Sequence, residues 1–225
     1  MSDSVSDESL SIGLYGGSFD PVHLGHLRTA LEVSQLLGLD EVRFTPSGQP
    51  PHRRSPRAPA SLRLLMLEAA VADVDGFAVD ARELERSGPS YTIDTLVSLR
   101  AEQPHSTLVV ILGMDAYLGL GDWHRSRELL DYAHFIVAHR PGWEPPAAAD
   151  IGWLADRLTQ SPEDLRTGAG RVLLHAVTAL DIASSGIRGL IAAGGDPRFL
   201  VPDSVWQILQ RTHCYAEKQP DTRQA

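Results

Sequence analysis

Hydrophobic positions along the chain follow two patterns that alternate from one end to the other. Residues 107–113 (TLVVILG) form a continuous apolar run, which is typical of a strand buried on both faces of a parallel sheet. Residues 24–37 instead repeat apolar side chains every three or four positions, the spacing of an amphipathic helix. Because the two patterns alternate, the sequence predicts an α/β fold with helices on both faces of a parallel sheet.

The same patterns predict the remaining elements. We expect strands at 11–17, 41–46, 77–81, 107–113, 134–140 and 171–177, and helices at 24–37, 61–74, 90–103, 184–194 and 202–212. Serines at the starts of two helices, Ser61 and Ser184, are the expected N-caps. The predicted architecture is one Rossmann-like, open, mainly parallel sheet in a single domain over residues 11–215. Residues 1–10 and 216–225 are expected to be frayed ends, and residues 141–154 an inserted loop leading to a helix.

Composition narrows the class of protein. The chain has 225 residues, 43% of them hydrophobic, and a formal net charge of −9. This length supports one domain with a real core, and the acidic balance argues against general nucleic-acid binding, although not against a local basic pocket. We expect neither a signal peptide at the polar, acidic residues 1–9 nor a membrane span, since no run of about 18 apolar residues exists.

Two scarce residue types exclude further chemistry. The single cysteine, Cys214, excludes an internal disulfide and a cysteine-based zinc site, and favours a reducing, cytoplasmic location. The single lysine, Lys218, lies in the C-terminal tail, so Walker-type phosphate loops and Schiff-base chemistry are excluded as well.

The unusual residues follow the predicted strands. They occupy residues 16–26, 46–54, 113–115 and 184–188. In open parallel sheets, ligands bind beyond the carboxyl ends of the strands, close to the point where the strand order reverses. The sequence therefore predicts a ligand site at this edge of the sheet.

A glycine pair opens the first of these segments. Gly16 and Gly17 remove side chains where strand 11–17 ends, so backbone N–H groups can approach a ligand, and the next helix N-terminus favours an anion. Neither G-x-G-x-x-G nor a Walker loop is present. By itself the pair is equally compatible with an ordinary β-α turn.

Two histidines follow at the start of the predicted helix. His23 and His26 are three positions apart and share a helix face, with Gly25 between them. A zinc protease would need H-E-x-x-H, which has a different spacing and an intervening glutamate. Imidazoles that hydrogen-bond to phosphate fit the pattern better.

These residues carry a family resemblance. GGSFDPVHLGH (16–26) resembles the signature of the HxGH nucleotidyltransferases. Five later motifs resemble those of bacterial nicotinate-nucleotide adenylyltransferases, in the same order: TPSGQPPHR, RSGPSYTIDTL, GMDAYLGLGDWHRSREL, FIVAHRPG and DIASSGIR. The resemblance covers roughly residues 11–215. It implies the nucleotidyltransferase fold and, with Mg²⁺, transfer of the adenylyl group of ATP to nicotinate mononucleotide in NAD biosynthesis, which gives deamido-NAD and pyrophosphate.

The resemblance also implies which residues bind ATP. It gives His23, His26 and Arg188 the catalytic role of stabilising charge. The implied ATP contacts are Gly16, Gly17, Ser18, Phe19, His23, His26, Asp115, Ser184, Ser185, Ile187 and Arg188. The family pattern Ile-Ser-Ser-Thr-x-Ile-Arg is changed here, because Ala183 replaces the first serine and Ser185 replaces the threonine, which keeps a hydroxyl. Arg140 is a weaker candidate for an ATP contact.

The contacts implied for nicotinate mononucleotide come from other motifs. They are Gly17, Ser18, His52, Arg53, Tyr91, Thr92, Trp123 and His124. Thr92 would bond the pyridine carboxylate and Trp123 would stack on the ring. Plainer interpretations stay open: Trp123 as a core residue, Asp115 as a helix N-cap, and His52 and Arg53 in a solvated loop. No metal ligands from the chain are expected, since Mg²⁺ is held by phosphate oxygens.

Two other functions remain as alternatives. One is a sister enzyme of the same fold that adenylates phosphopantetheine. The other is a nucleotide-binding or regulatory module without catalysis, which the intact His23, His26 and Arg188 disfavour. The expected partners are the two small-molecule substrates, with neither nucleic acid nor membrane, and a homo-oligomer stays open.

Overall fold

The computed structural model describes residues 9–48, 55–142, 148–178 and 180–217. Within these ranges seven strands form one open sheet: β1 Ser11–Gly17, β2 Glu41–Pro46, β3 Phe77–Val79, β4 Thr107–Gly113, β5 His134–His139, β6 Leu158–Thr159 and β7 Val172–Ala176. Their order across the sheet is β3-β2-β1-β4-β5-β7-β6, and every neighbouring pair is parallel. The described sheet is thus wholly parallel, where the sequence predicted a mainly parallel one.

Helices connect the strands. They are α1 Leu24–Leu37, α2 Ala60–Val71, α3 Arg82–Glu85, α4 Thr92–Glu102, α5 Met114–Leu118, α6 Leu129–Tyr132, α7 Ser184–Ala192 and α8 Asp203–Thr212. Short 3₁₀ segments add Leu120–Asp122, Ser126–Glu128, Ala148–Arg157 and Pro162–Leu165. The helix expected after the insertion at 141–154 is therefore a 3₁₀ segment, and residues 143–147 lie outside the described part of the chain. No helix of the described residues is long and apolar enough to cross a membrane.

The central strand β4 separates two hydrophobic cores. Val109 and Ile111 pack with buried residues of α1, α2 and α8. The alternate positions Leu108, Val110 and Leu112 pack with those of α4, α5 and α6. Successive side chains of a strand point to opposite faces, so the continuous apolar run of β4 serves both cores. This confirms the prediction of helices on both faces.

The strand order reverses beside β1. From β1 the chain moves outward to β2 and β3, and then returns to β4 on the other side of β1. The loops that leave β1 and β4 consequently diverge and open a crevice at the carboxyl ends of these two strands. Gly17 ends β1 and Gly113 ends β4, so the glycine-rich turn lies at this crevice.

Both predicted serine caps are wrong. Helix α2 begins at Ala60, because the carbonyl of Pro59 accepts the N–H groups of Leu62 and Arg63; Pro59, and not Ser61, is the N-cap. The N-cap of α7 is Ala183, and Ser184 is the first helical residue.

Other boundaries differ less. Helix α2 ends at Val71, earlier than the predicted 74, and strand β6 was missed because two residues carry no periodic signal. The ends expected to fray coincide mostly with residues 1–8 and 218–225, which lie outside the described ranges.

Candidate active site

One cavity of about 840 Å³ lies at the carboxyl ends of β1 and β4. Its walls come from the turn after β1, the start of α1, the end of β2, the segment before α4, the region of α5 and the segment before α7. The sequence predicted that the candidate site residues lie at this edge of the sheet, and most of them line the cavity. Those on its wall are Gly16, Gly17, Ser18, His23, His26, Tyr91, Thr92, Asp115, Trp123, His124, Arg140 and Ser184.

Phe19 supports the glycine turn from behind. Its side chain is 1% exposed and its ring packs edge-on against Tyr15 and, tilted, against Phe44. Its backbone takes the left-handed conformation, with φ of 45°. Phe19 therefore belongs to the core and not to the cavity wall, and only its backbone is free to contact a ligand.

The two histidines form a stacked pair at the start of α1. Their ring centroids are 3.7 Å apart and their planes differ by 25°. The backbone N–H of His23 donates to Nδ1 of His26 at 3.3 Å. A ring nitrogen that accepts a hydrogen bond carries no proton, so neutral His26 holds its proton on Nε2 and can donate it to a ligand.

Both rings are neutral at pH 7 in the ligand-free protein. Burial lowers the pKa of His23 from 6.5 to about 4. Burial, and to a lesser degree the neighbouring His23, lowers the pKa of His26 well below its ordinary value. A bound polyphosphate opposes this effect, because nearby negative charge favours the protonated form and raises both pKa values.

Gly25 lies where the His23 ring leaves little room for a side chain. A β-carbon at residue 25 would lie 3.0 Å from Nδ1 of His23 and 3.7 Å from the carbonyl oxygen of Ile182. The glycine in the H-x-G-H pattern thus leaves room for the His23 ring and for the segment that enters α7.

The start of α7 reaches the cavity through Ser184. Its hydroxyl donates to the carbonyl of Pro21 at 2.9 Å, which ties α7 to the turn before α1. Ser185 is exposed and Ile187 is buried in the core, and neither side chain lines the cavity. Arg188 does not line it either: its Nη1 donates to the backbone carbonyl of Asp20 at 2.6 Å.

Aromatic side chains occupy the opposite wall. The rings of Tyr91 and His124 pack against each other with centroids 4.3 Å apart and planes tilted by 33°. Trp123 is partly buried against the second core and also lines the cavity, so its packing in the core leaves it on the wall of the candidate site. Asp115 is exposed at the cavity as the second residue of α5, whose N-cap is Gly113; the N-cap interpretation of Asp115 is therefore wrong.

Three further candidates remain, His52, Arg53 and Arg140. His52 and Arg53 fall in 49–54, outside the described ranges. Arg140 lines the cavity, and its Nη2 donates to Asp181 at 2.8 Å in an exposed pair.

Comparison with known proteins agrees with this geometry. The cytidylyltransferase-like family model matches residues 14–190. Two similar proteins, from Aeromonas hydrophila and Pseudomonas syringae pv. tomato, are both named "Probable nicotinate-nucleotide adenylyltransferase". The first is 47% identical over 206 residues, which cover 91% of this chain and 96% of the relative. The second is 48% identical over 214 residues, which cover 93% and 96%.

The chain belongs to the nicotinate-nucleotide adenylyltransferase family. A solved structure has the same fold: Plasmodium falciparum nicotinic acid mononucleotide adenylyltransferase complexed with NaAD, with a TM-score of 0.70 and 18% identity. The match covers 92% of this chain and 97% of that one. The family resemblance and the nucleotidyltransferase fold predicted from the sequence are thereby confirmed.

Beneath the family's glycine turn lies a buried arginine that sequence reasoning missed. Arg63 of α2 is 2% exposed; its Nη1 donates to the carbonyl of Ser18 at 2.7 Å and its Nη2 to that of Ser47 at 2.8 Å. One guanidinium thus joins the loops that follow β1 and β2. The available signal was a single cation within an apolar helical stretch, SLRLLML.

A second missed group is Glu83, which lines the cavity near Ser90 and Tyr91. Its Oε1 accepts from the Thr95 hydroxyl at 2.9 Å, and its backbone carbonyl accepts from the Ser90 hydroxyl at 3.1 Å. Burial raises the pKa of its carboxyl. The segment packs tightly on Gly48, where a β-carbon would lie 2.3 Å from the Glu83 carbonyl oxygen.

Proposed function

We propose that this chain transfers the adenylyl group of ATP to nicotinate mononucleotide. A phosphate oxygen of the mononucleotide attacks the α-phosphorus of ATP, the bond from that phosphorus to the bridging oxygen breaks, and pyrophosphate leaves with that oxygen. The product is deamido-NAD. The attacking oxygen is already ionised at pH 7, so the reaction needs no general base, and positioning and charge stabilisation supply the catalysis.

One observation carries the proposal. A single cavity has a glycine and histidine wall at the turn after β1 and an aromatic wall formed by Tyr91, Trp123 and His124. The first wall suits a polyphosphate and the second suits a pyridine ring. Two substrates bound in one cavity can meet in the orientation that direct transfer requires.

We assign the α-phosphate and the leaving group to the histidine pair. Neutral His26 donates from Nε2, and His23 is stacked on it at 3.7 Å. Charge builds on the phosphate oxygens during transfer, and fixed donors in a partly buried site stabilise it strongly. Backbone N–H groups of Gly16, Gly17 and Phe19, with the hydroxyl of Ser18, complete this phosphate wall.

The start of α7 is assigned to the pyrophosphate. Ser184 lines the cavity and, with Ser185, offers backbone N–H groups at a helix N-terminus, which favours anions. The backbone of Ile187 belongs to the same turn. Arg188, whose Nη1 is hydrogen-bonded to Asp20, provides a cation one turn further along the same helix. On the other wall, Asp115 is placed to accept from a ribose hydroxyl of ATP.

The acceptor is assigned to the aromatic wall. Trp123 stacks on the pyridine ring and the Thr92 hydroxyl donates to its carboxylate, while N–H groups at Trp123 and His124 add further donors. Such donors favour a charged carboxylate over a neutral amide. His52 and Arg53 are proposed to contact the phosphate of the mononucleotide, and Tyr91 to pack beside it.

The donor set fits a magnesium ion that arrives with ATP. Two carboxylates line the cavity, those of Glu83 and Asp115, and within the described ranges no group of three or more His, Cys, Asp or Glu residues could hold a metal. When bound, Mg²⁺ would neutralise charge on the phosphates and would take few ligands from the chain itself. We place the reaction in the cytoplasm, on the grounds of the cysteine content.

The test is pyrophosphate release with ATP and Mg²⁺, offering nicotinate mononucleotide, nicotinamide mononucleotide and phosphopantetheine separately. We expect release with the first alone, or far faster with it. Release only with phosphopantetheine would establish the sister activity and overturn the pocket assignment. ATP binding by calorimetry without release for any acceptor would establish the non-catalytic module instead. His26→Ala, which removes the Nε2 donor, is the control for contaminating activity.

A further inference from the structure

Tyr215 lies near the C-terminus yet reaches the signature turn. Helix α8 ends at Thr212, His213 takes the left-handed conformation, and the chain turns back. The Tyr215 hydroxyl then donates to Oδ1 of Asp20 at 2.7 Å, across 195 positions of sequence. Asp20 is 3% exposed and lies three residues before His23.

The Asp20 carboxylate is an acceptor for several donors at once. Oδ2 accepts the N–H of Arg57 at 2.8 Å, and Oδ1 accepts the N–H of Ala58 at 3.0 Å. The side chain of Asp20 thus accepts from every one of these partners, and in the contact with Tyr215 the hydroxyl is the donor. Burial and this hydrogen bond both raise the pKa of Tyr215, so the hydroxyl remains a donor at every physiological pH.

In the described part of the chain, two cations face this carboxylate: the buried Arg63 of α2, which interacts with Asp20 electrostatically, and Arg188 of α7. Nη1 of Arg188 lies 2.6 Å from the Asp20 backbone carbonyl oxygen and 3.5 Å from Oδ2 of the side chain. Its Nε is buried and has no hydrogen-bond partner among the described residues. The guanidinium therefore rests against Asp20 without a short bond to the carboxylate, next to the turn that carries the phosphate wall.

We propose that Tyr215 is a positioning residue for the adenylyl transfer, acting through Asp20 on Arg188. The hydroxyl is one of the hydrogen-bond donors to the Asp20 carboxylate. Because the carboxylate already accepts this bond, it holds the Arg188 guanidinium in place without forming a tight ion pair with it. Arg188 then stays available to the leaving pyrophosphate. The kinetic effects expected from this inference rest on the proposed function.

Removing the hydroxyl should tighten the pair. In Tyr215→Phe the Asp20 carboxylate loses one hydrogen-bond donor and attracts Arg188 more strongly. Asp20 then competes with the phosphates of ATP for the Arg188 guanidinium, which weakens the interaction of Arg188 with ATP. We expect kcat/KM for ATP to fall by about tenfold, the scale of one hydrogen bond to a charged group. KM for the mononucleotide should change by less than about twofold, since the aromatic wall is untouched.

Variants that remove Asp20 or Arg188 from this chain of contacts provide the decisive test. In Asp20→Asn no charge remains to capture Arg188, and in Arg188→Ala there is no guanidinium to capture. Adding Tyr215→Phe to either background should reduce kcat/KM by less than about twofold, which is the non-additivity expected of coupled residues. A merely structural tyrosine would give the same loss in every background.

Tyr132→Phe is the matched control, since Tyr132 ends α6 and does not line the cavity. It should leave both kinetic constants unchanged. An unchanged Tyr215→Phe enzyme, or an equal loss with and without Asp20, would overturn the proposal. Calorimetry measures the ATP affinity of the same variants, and therefore the coupling between Tyr215 and Arg188, in the absence of nicotinate mononucleotide. Failure of this inference and failure of the proposed function are therefore distinguishable.

Discussion

The backbone N–H of His23 donates to Nδ1 of His26, and this bond decides which nitrogen of His26 faces the substrates. An amide can replace either ring nitrogen: the glutamine amide lies near the position of Nε2, the asparagine amide near that of Nδ1. A donor at the Nε2 position is the feature that the proposed chemistry needs.

We therefore expect His26→Gln to retain more turnover than His26→Asn. His26→Ala, which removes both nitrogens, should lose about two orders of magnitude or more in kcat, the usual scale for one charge-stabilising donor. Steady-state kinetics with saturating ATP measures this order. Equal activity of the glutamine and asparagine variants would show that Nε2 is not the donor.

The buried histidines also predict how stability depends on pH. The pKa of His23 is 6.5 in the unfolded chain and about 4 in the folded protein. Between these values the unfolded chain binds a proton that the folded protein does not. The free energy of unfolding should therefore fall as the pH drops from 6.5 towards 4, by up to about 1.4 kcal/mol per pH unit, and His23 should have no such effect above that window.

Urea denaturation at about pH 5 and about pH 7.5 measures this dependence. His23→Gln should lose less stability between the two conditions than the unaltered protein. The same pH difference in the unaltered protein and in His23→Gln would contradict the shift.

Trp123→Ala should weaken binding of the mononucleotide. Stacking of a base on an aromatic side chain contributes about 1–3 kcal/mol, so KM for the mononucleotide should rise by about tenfold or more while KM for ATP stays unchanged. Trp123→Phe keeps a stacking face and should recover most of the loss. A parallel rise of both KM values would point to a structural role in the second core.

Two glycines should separate stability from activity. A β-carbon at Gly16 meets nothing within 4 Å, whereas one at Gly48 would lie 2.3 Å from the Glu83 carbonyl oxygen. Gly48→Ala should therefore destabilise the fold by about 1–3 kcal/mol, as overpacking does. Gly16→Ala should leave the melting temperature unchanged and raise KM for ATP, because its methyl enters the phosphate wall.

Melting curves and kinetics of both variants test this pair. Normal kinetics of Gly16→Ala would remove that residue from the ATP site.

Periodic segments were predictable from the sequence. Helix α1 and strands β1, β2 and β4 have the predicted bounds, because their apolar spacing extends over enough residues to be distinctive. The start of α2 was not predictable from capping preference, since Pro59 takes the position that Ser61 was expected to hold. Strand β6, two residues long, is defined only by its pairing with β7.

The candidate site likewise has a part that was predictable from the sequence and a part that was not. The histidine pair and the aromatic wall were readable from local motifs. The supports were not, because Arg63 contacts Ser18 across 45 positions and Tyr215 contacts Asp20 across 195. Burial of a single arginine, or of a tyrosine near the C-terminus, depends on tertiary contacts. No spacing pattern in the sequence predicts it.

The guanidinium of Arg63 makes one cooperative unit of two loops. It binds the carbonyls of Ser18 and Ser47, so local opening of either loop breaks a hydrogen bond to the same buried side chain. The turns at Ser18 and Ser47 should consequently lose their order together on heating. For this chain, thermal inactivation would then be one step in which the grip on both substrates disappears at once.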